Sequence, residues 1–142
     1  MRTWLCLPFF IGLSSCIQAE TAAKVPENSY CQIIEKIINL PDLQQYFHVN
    51  VFPERVPLVI LVDQFINSCV ELNKFGKPVI IISSNNIEKL PSTVHLKFVN
   101  INITPVNAEA VFTYSPEGIK GMVKLKKDKS QWIVFESKIV EM

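Results

Sequence analysis

Glycine is scarce in this chain, and no glycine-rich loop is present. The 142 residues include 4 Gly, 2 His and 4 Cys, and the cysteines form neither a CxxC pair nor a cluster with the histidines. A phosphate-binding loop needs closely spaced glycines, and a structural zinc site needs Cys or His ligands at short spacing. No serine occupies a nucleophile-elbow sequence. The sequence therefore predicts no cofactor, no metal ion and no catalytic residue.

Charge is also limited, and its two signs are nearly equal. The chain has 14 Lys and Arg against 13 Asp and Glu, and removing Arg2 leaves equal numbers. A neutral domain has no overall field that would attract nucleic acid, so no nucleic-acid partner is expected. Five lysines nevertheless lie close together, and we expect them to form the solvated edge of a strand pair: Lys120, Lys124, Lys126, Lys127 and Lys129.

The amino-terminal residues have the organisation of an export signal. Arg2 precedes a short apolar run that ends at Leu13, and the small residues Ser14 and Ser15 follow. The run is shorter than the roughly 20 residues that span a bilayer, and this arrangement is typical of a secretory signal. We expect residues 1–19 to be the signal and residues 20–28 to be a tether.

Two cleavage sites are compatible with this signal. Leu13 to Cys16 resembles the lipobox of bacterial lipoproteins, which implies acylation of Cys16 and a membrane anchor. The alternative is ordinary cleavage after Ala19. The first places the domain in the periplasm, anchored to the outer membrane, whereas the second makes it a free periplasmic or secreted domain.

Cys31 and Cys69 are the two cysteines outside the signal. An even pair in an exported chain is typical of a disulfide, but two separate buried thiols are an equally good interpretation. A bridge would stabilise the domain by roughly 3–4 kcal/mol through the unfolded state.

Periodicity predicts helices first and strands afterwards. Apolar residues at helical spacing predict a helix over residues 30–38 that ends before Pro41, and one further turn over residues 42–47. Residues 58–72 are ambiguous, and we favour an amphipathic segment that is helical in its second half. The later residues predict strands near 78–82, 93–103, 108–114, 119–125 and 131–140, with a bulge near Val99. The expected fold is one α+β domain over residues 29–142, with amino-terminal helices packed on a curved antiparallel β-meander of about four strands.

The last third of the chain resembles NTF2-like (cystatin-like) domains. The resemblance rests on the strand pattern from Ala108 to Tyr114, the turn from Pro116 to Gly121 and the strand that begins Gln131-Trp132. It implies a sheet wrapped round helices that often encloses an apolar pocket. The pocket would be lined by Phe98, Phe112, Tyr114 and Trp132. Upstream the chain departs from the family, because proline interrupts its helices.

Few residues qualify as candidates for chemistry, and each has a simpler interpretation. His48 suits a helix end, where a cation interacts favourably with the dipole, and His95 suits an exposed strand position. Asp63 could act as the base of an isomerase-type enzyme, as in some NTF2-like domains, although a segment end meeting water explains it as well.

The sequence therefore predicts a non-enzymatic, exported binding or interaction domain, such as an inhibitor or immunity-type protein. The alternative is a carrier of an apolar small molecule or lipid. A homodimer through an exposed strand edge is a further expectation.

Overall fold

The computed structural model describes residues 25–26, 28–63, 69, 71–89 and 94–142. The predicted export signal, Cys16 and most of the predicted tether lie outside these residues. The described chain contains helices α1 (Asn28–Ile38) and α2 (Pro41–Phe47) and 3-10 turns at Pro53–Arg55, Ser84–Lys89 and Ser115–Glu117. Its eight strands are β1 (Val59–Val62), β2 (Asn73–Lys74), β3 (Lys77–Pro78), β4 (Ile80–Ser83), β5 (Leu96–Ile103), β6 (Asn107–Tyr114), β7 (Ile119–Asp128) and β8 (Gln131–Glu141).

The two helices form where the periodicity predicted them. The apolar stripe of α1 is fully buried, and its members are Ile33, Ile34, Ile37 and Ile38. Pro41 begins α2, because the first position of a helix needs no backbone N–H. His48 ends α2 in the left-handed region with φ 46°, a common way to terminate a helix.

Six strands form one mixed sheet in the order β4-β1-β5-β6-β7-β8. Strand β1 runs parallel to both of its neighbours, β4 and β5. From β5 onward the chain is an antiparallel meander through β6 and β7 to β8. The remaining strands, β2 and β3, form a separate two-stranded hairpin.

The predicted fold class is therefore wrong. The described chain is mostly β, with a six-stranded mixed sheet and two short helices, and not helices packed on a four-stranded meander. Part of the error concerns residues 58–62, the first half of a segment that we expected to be amphipathic and helical in its second half; residues 64–68 and 70 of that second half lie outside the described residues. All four residues of β1 are buried, because a strand with a parallel neighbour on each side is covered on both faces. A short apolar run cannot be distinguished from a buried helix by periodicity alone.

The meander agrees closely with the predicted strands. The register of β5 against β6 shifts between Phe98 and Asn100, which confirms the predicted bulge. Gly118 closes the turn before β7 with φ 60°. The two residues that join β7 to β8, Lys129 and Ser130, both have positive φ, which matches the right-handed twist of the flanking strands.

The helices cover one face of this sheet, which we call the inner face. Alternate residues of β6 and β7 point into the core there, among them Ala110, Phe112 and Val123. Gly121 lies opposite Phe112, and a Cβ at Gly121 would overlap the Phe112 ring. The glycine therefore makes room for the aromatic ring. The opposite side of β5 to β8 is the outer face.

Cys31 and Cys69 form a disulfide, with their Cα atoms 5.2 Å apart. The bond joins α1 to the segment that precedes the β2–β3 hairpin, across a sequence separation of 38 residues. This outcome confirms the disulfide interpretation over that of two separate thiols. Lys74 of β2 adds a connection between the hairpin and the helices, because its Nζ donates to Asn39 Oδ1, just after α1, at 2.9 Å and to Gln44 Oε1 of α2 at 2.6 Å.

Candidate binding surface

Two features qualify as candidate sites: an ionic cluster at the end of α2 and the outer face of the sheet. The cluster is built around Arg55, whose side chain is 8% exposed. Its Nη1 donates to Glu117 Oε1 at 2.6 Å, to the Phe47 carbonyl at 3.1 Å and to the Tyr46 carbonyl at 3.3 Å. His48 Nε2 lies 3.7 Å from the other oxygen of Glu117.

Aromatic rings enclose the same guanidinium group. The Arg55 Cζ lies 4.2 Å from the centre of the Phe52 ring and 5.9 Å from that of Tyr114. Tyr114 is fully buried, and this burial raises the pKa of its phenol above the usual value, although the charge of Arg55 opposes the shift. The Tyr114 hydroxyl is near the guanidinium but makes no hydrogen bond of normal geometry with any described residue.

This cluster is suited to holding the fold together. Carbonyls at the end of a helix lack intrahelical donors, and Arg55 supplies donors to two of them. Glu117 balances the buried charge and connects α2 to the turn before β7. The bonds of Nη1 are thus made within the chain, which favours a structural role over catalysis. This pair was not predictable from the sequence, because its members are 62 residues apart and no motif links them.

The outer face differs from the inner face because the described residues leave it uncovered. Residues that alternate with the core positions of β5 to β8 point outward, and all of them are exposed or half-buried. Five are lysines, and we call this region the outer lysine face: Lys97, Lys120, Lys124, Lys126 and Lys138. Apolar side chains lie among them, with Met122 47%, Ile133 40% and Val140 40% exposed.

Positive charge dominates the outer lysine face. Its five lysines are accompanied by Glu109 and Glu136 and, at the hairpin end, by Asp128. Lys124 forms an exposed ion pair with Glu136, with Nζ 3.2 Å from Oε2. In the part of the chain that the structure describes, these strands thus form a basic surface on a protein that is nearly neutral overall, because they place lysines at alternate positions. Lys120, Lys124 and Lys126 do not lie at the strand edge that was predicted for them, since their strand β7 lies between β6 and β8 in the sheet.

A shallow cleft lies on this face beside Phe135. It has a volume of about 500 Å³. Phe135 is 55% exposed at the bulge of β8, where the register against β7 shifts between Lys124 and Leu125. The cleft is lined by Asn102, Thr104, Asn107, Ala108, Glu109, Lys124 and Phe135. A second groove, of about 460 Å³, lies next to the disulfide. The first cleft could accept an apolar side chain of a partner.

The four residues of the predicted pocket are all buried in the core. Phe98 and Trp132 are 2% exposed, and Phe112 and Tyr114 are fully buried. The rings of Phe98 and Phe112 lie 6.1 Å apart, and Lys127 lies 5.7 Å from the Trp132 ring.

The other candidates for chemistry are dispersed. Asp63 is exposed directly after β1, and His95 is half-buried just before β5. His48 is 46% exposed at the end of α2, where it was expected. Within the described residues, no group of three or more Cys, His, Asp or Glu side chains could bind a metal ion. None of the described helices has the length and apolar character needed to cross a membrane.

Comparison of the chain with protein-family models, with curated proteins and with solved structures finds no match. The resemblance to NTF2-like domains therefore stays a prediction.

Proposed function

We propose that this chain is an exported, membrane-anchored binding domain without enzymatic activity, which attaches to a protein through the outer lysine face. One observation carries the proposal: across four strands the described residues leave a surface of lysines and apolar side chains uncovered. Aromatic and methionine side chains are enriched in interfaces, and Phe135 and Met122 are exposed on this surface. The lysines favour a partner with an acidic surface, because complementary charge steers association and excludes other partners.

Export is supported by two independent features. The amino-terminal residues combine Arg2, a short apolar run and the lipobox-like sequence that ends at Cys16. The Cys31–Cys69 disulfide suits an oxidising compartment such as the periplasm. Acylation of Cys16 would hold the domain at the outer membrane.

The size of the domain suits an inhibitor or immunity-type role, in which a small protein covers the surface of a toxin or hydrolase. The carrier alternative lacks a comparable observation in its favour. The residues predicted to line its pocket are at most 2% exposed.

The location is tested by the intact mass of the protein purified from its native membrane and soluble fractions. We expect a chain that begins at Cys16, carries acyl groups and is found in the membrane fraction. A soluble chain that begins at Glu20 would overturn the anchored form of the proposal. It would leave the exported binding domain to be judged by the next experiment.

Binding is tested by charge reversal on matched surfaces. The test variant changes three lysines of the outer lysine face to Glu: Lys120, Lys124 and Lys126. The control variant makes the same change at three exposed lysines elsewhere: Lys36, Lys77 and Lys129. We expect the wild type and the control to retain the same proteins from an extracytoplasmic extract, and the test variant to lose them. Equal retention by both variants would contradict the assignment of the binding surface.

A further inference from the structure

Strand β8 forms one edge of the sheet, and it is long for an edge strand. It runs over 11 residues, and among the described residues it pairs only with β7. An edge strand presents unpaired backbone N–H and C=O groups that can pair with another strand. Proteins usually protect such edges with short strands, bulges or charged residues.

The hydrogen bonding of β8 shows which residues direct their backbone groups outward. The N–H of Met142 donates to the Gly118 carbonyl at 2.7 Å, so the backbone N–H and C=O groups of Met142 point toward β7 and not toward the free edge. In an antiparallel pair, successive residues alternate between facing the partner strand and facing away from it. Ser137, Ile139 and Glu141 therefore direct their N–H and C=O groups toward the free edge.

The side chains that flank Ser137 carry opposite charges. Glu136 lies opposite Lys124 and Lys138 lies opposite Met122 across the β7–β8 ladder, so both side chains are on the outer face. Both are exposed. On the amino-terminal side the bulge at Phe135 interrupts the regular alternation, so two antiparallel copies centred on Ser137 pair regularly over residues 136–138 of each strand.

We propose that two copies of this chain pair antiparallel through β8, around a two-fold axis at Ser137. In this register Ser137 lies opposite Ser137 of the second copy, and their outward backbone groups exchange two hydrogen bonds. Each Glu136 then lies directly opposite Lys138 of the second copy, which gives two cross-strand ion pairs. The charges that would repel unrelated strands are complementary when the strand meets itself.

A neighbouring register lacks this complementarity. If Ile139 were at the axis, Lys138 would lie opposite Val140 and Glu136 opposite Met142, so neither charge would meet an opposite charge. That register forms no cross-strand ion pair of the kind that stabilises an antiparallel pair. Of the two registers, only the one centred on Ser137 brings opposite charges together.

The dimer joins two six-stranded sheets edge to edge. Opposite residues on an antiparallel pair share a face, so the axis is perpendicular to the sheet and both outer lysine faces point in the same direction. The dimer does not depend on the proposed binding function. If both hold, one dimer offers a partner two adjacent copies of the same surface.

Cross-linking tests the register. Ser137→Cys and Ile139→Cys would be compared in a full-length background in which Cys6 and Cys16 are serine. Opposite residues in a hydrogen-bonded pair have Cα atoms about 5.5 Å apart, which is within disulfide range. Two copies of residue 139 would be at least ~14 Å apart along the strand. We expect a disulfide-linked dimer from Ser137→Cys alone. Cross-linking through Ile139→Cys, or through neither variant, would overturn the proposal.

Charge exchange tests the ion pairs by analytical ultracentrifugation. Lys138→Glu places carboxylates opposite each other at both ends of the axis, and we expect it to weaken dimerisation by roughly 10- to 30-fold. Adding Glu136→Lys to the same chain restores opposite charges, and most of the affinity should return. A single substitution that leaves dimerisation unchanged, or a pair that fails to restore it, would argue against this register. A monomeric wild type would refute the dimer itself.

Discussion

Replacing Arg55 by Met should destabilise the fold more than any change at a surface lysine. Arg55 Nη1 makes three hydrogen bonds, one of them to the carboxylate of Glu117 at 2.6 Å. Hydrogen bonds that involve a charged group contribute roughly 1.5–3 kcal/mol. Met keeps the apolar contact with Phe52 but leaves two carbonyls and Glu117 without their donor. Because the Glu117 side chain is still 21% exposed, water compensates part of the loss. We expect the free energy of unfolding to fall by about 2–4 kcal/mol.

Urea unfolding of the disulfide-bonded protein measures this change. Lys124→Met is the control, because it removes an ion pair whose side chains are 43% and 57% exposed, and such pairs contribute only about 0–1 kcal/mol. Glu117→Gln completes a double-mutant cycle with Arg55→Met, and we expect a coupling energy of roughly 1–2 kcal/mol. If Arg55→Met cost no more than the control, Arg55 would not connect α2 to the turn before β7.

Three further outcomes follow from the core. Replacing both Cys31 and Cys69 by Ser should lower the free energy of unfolding by about 4 kcal/mol. Reducing agent should then have no further effect on the stability of this variant. A variant as stable as the oxidised wild type would contradict the loop-entropy estimate. Gly121→Ala should lower the free energy of unfolding by roughly 1–3 kcal/mol, because the Phe112 ring must move to make room for the new methyl group. An unchanged midpoint of urea unfolding would show that the ring moves without loss of stability. Burial raises the pKa of Tyr114, so its contribution to stability is present below pH 10.0, the usual phenol pKa, and is lost as the pH rises above it. Tyr114→Phe should show a shallower alkaline decline, and an equal decline would refute that origin.

The local structure of the second half follows directly from its sequence. From Ala108 to Tyr114, small and aromatic residues alternate with Glu109, Val111 and Thr113, and this pattern places the first set in the core and the second outside. The slip in alternation near Val99 locates the bulge of β5. Both helices were also predictable, since the isoleucine stripe of α1 and the proline at the start of α2 are short-range signals.

The parallel half could not be predicted in the same way. Strand β1 is buried on both sides, so its sequence lacks the alternation that would identify it as a strand. Its neighbours β4 and β5 are distant in sequence, and nothing local shows that they run parallel to it. The pairing of Arg55 with Glu117 has the same character, because it depends on the three-dimensional arrangement of two turns.

The alternation of inward and outward side chains along the strands assigns different residues to folding and to binding. On β7, Val123 and Leu125 contribute to the core, while Lys124 and Lys126, at the alternate positions, lie on the outer face. Lysine is a poor choice for stability alone at the centre of a sheet, where neighbouring strands place Lys97, Lys120 and Lys138 on the same face. Positive charges brought together in this way repel one another, and an acidic partner would relieve the repulsion. Reversing three of them should therefore preserve the fold, so that a loss of binding can be attributed to the surface itself.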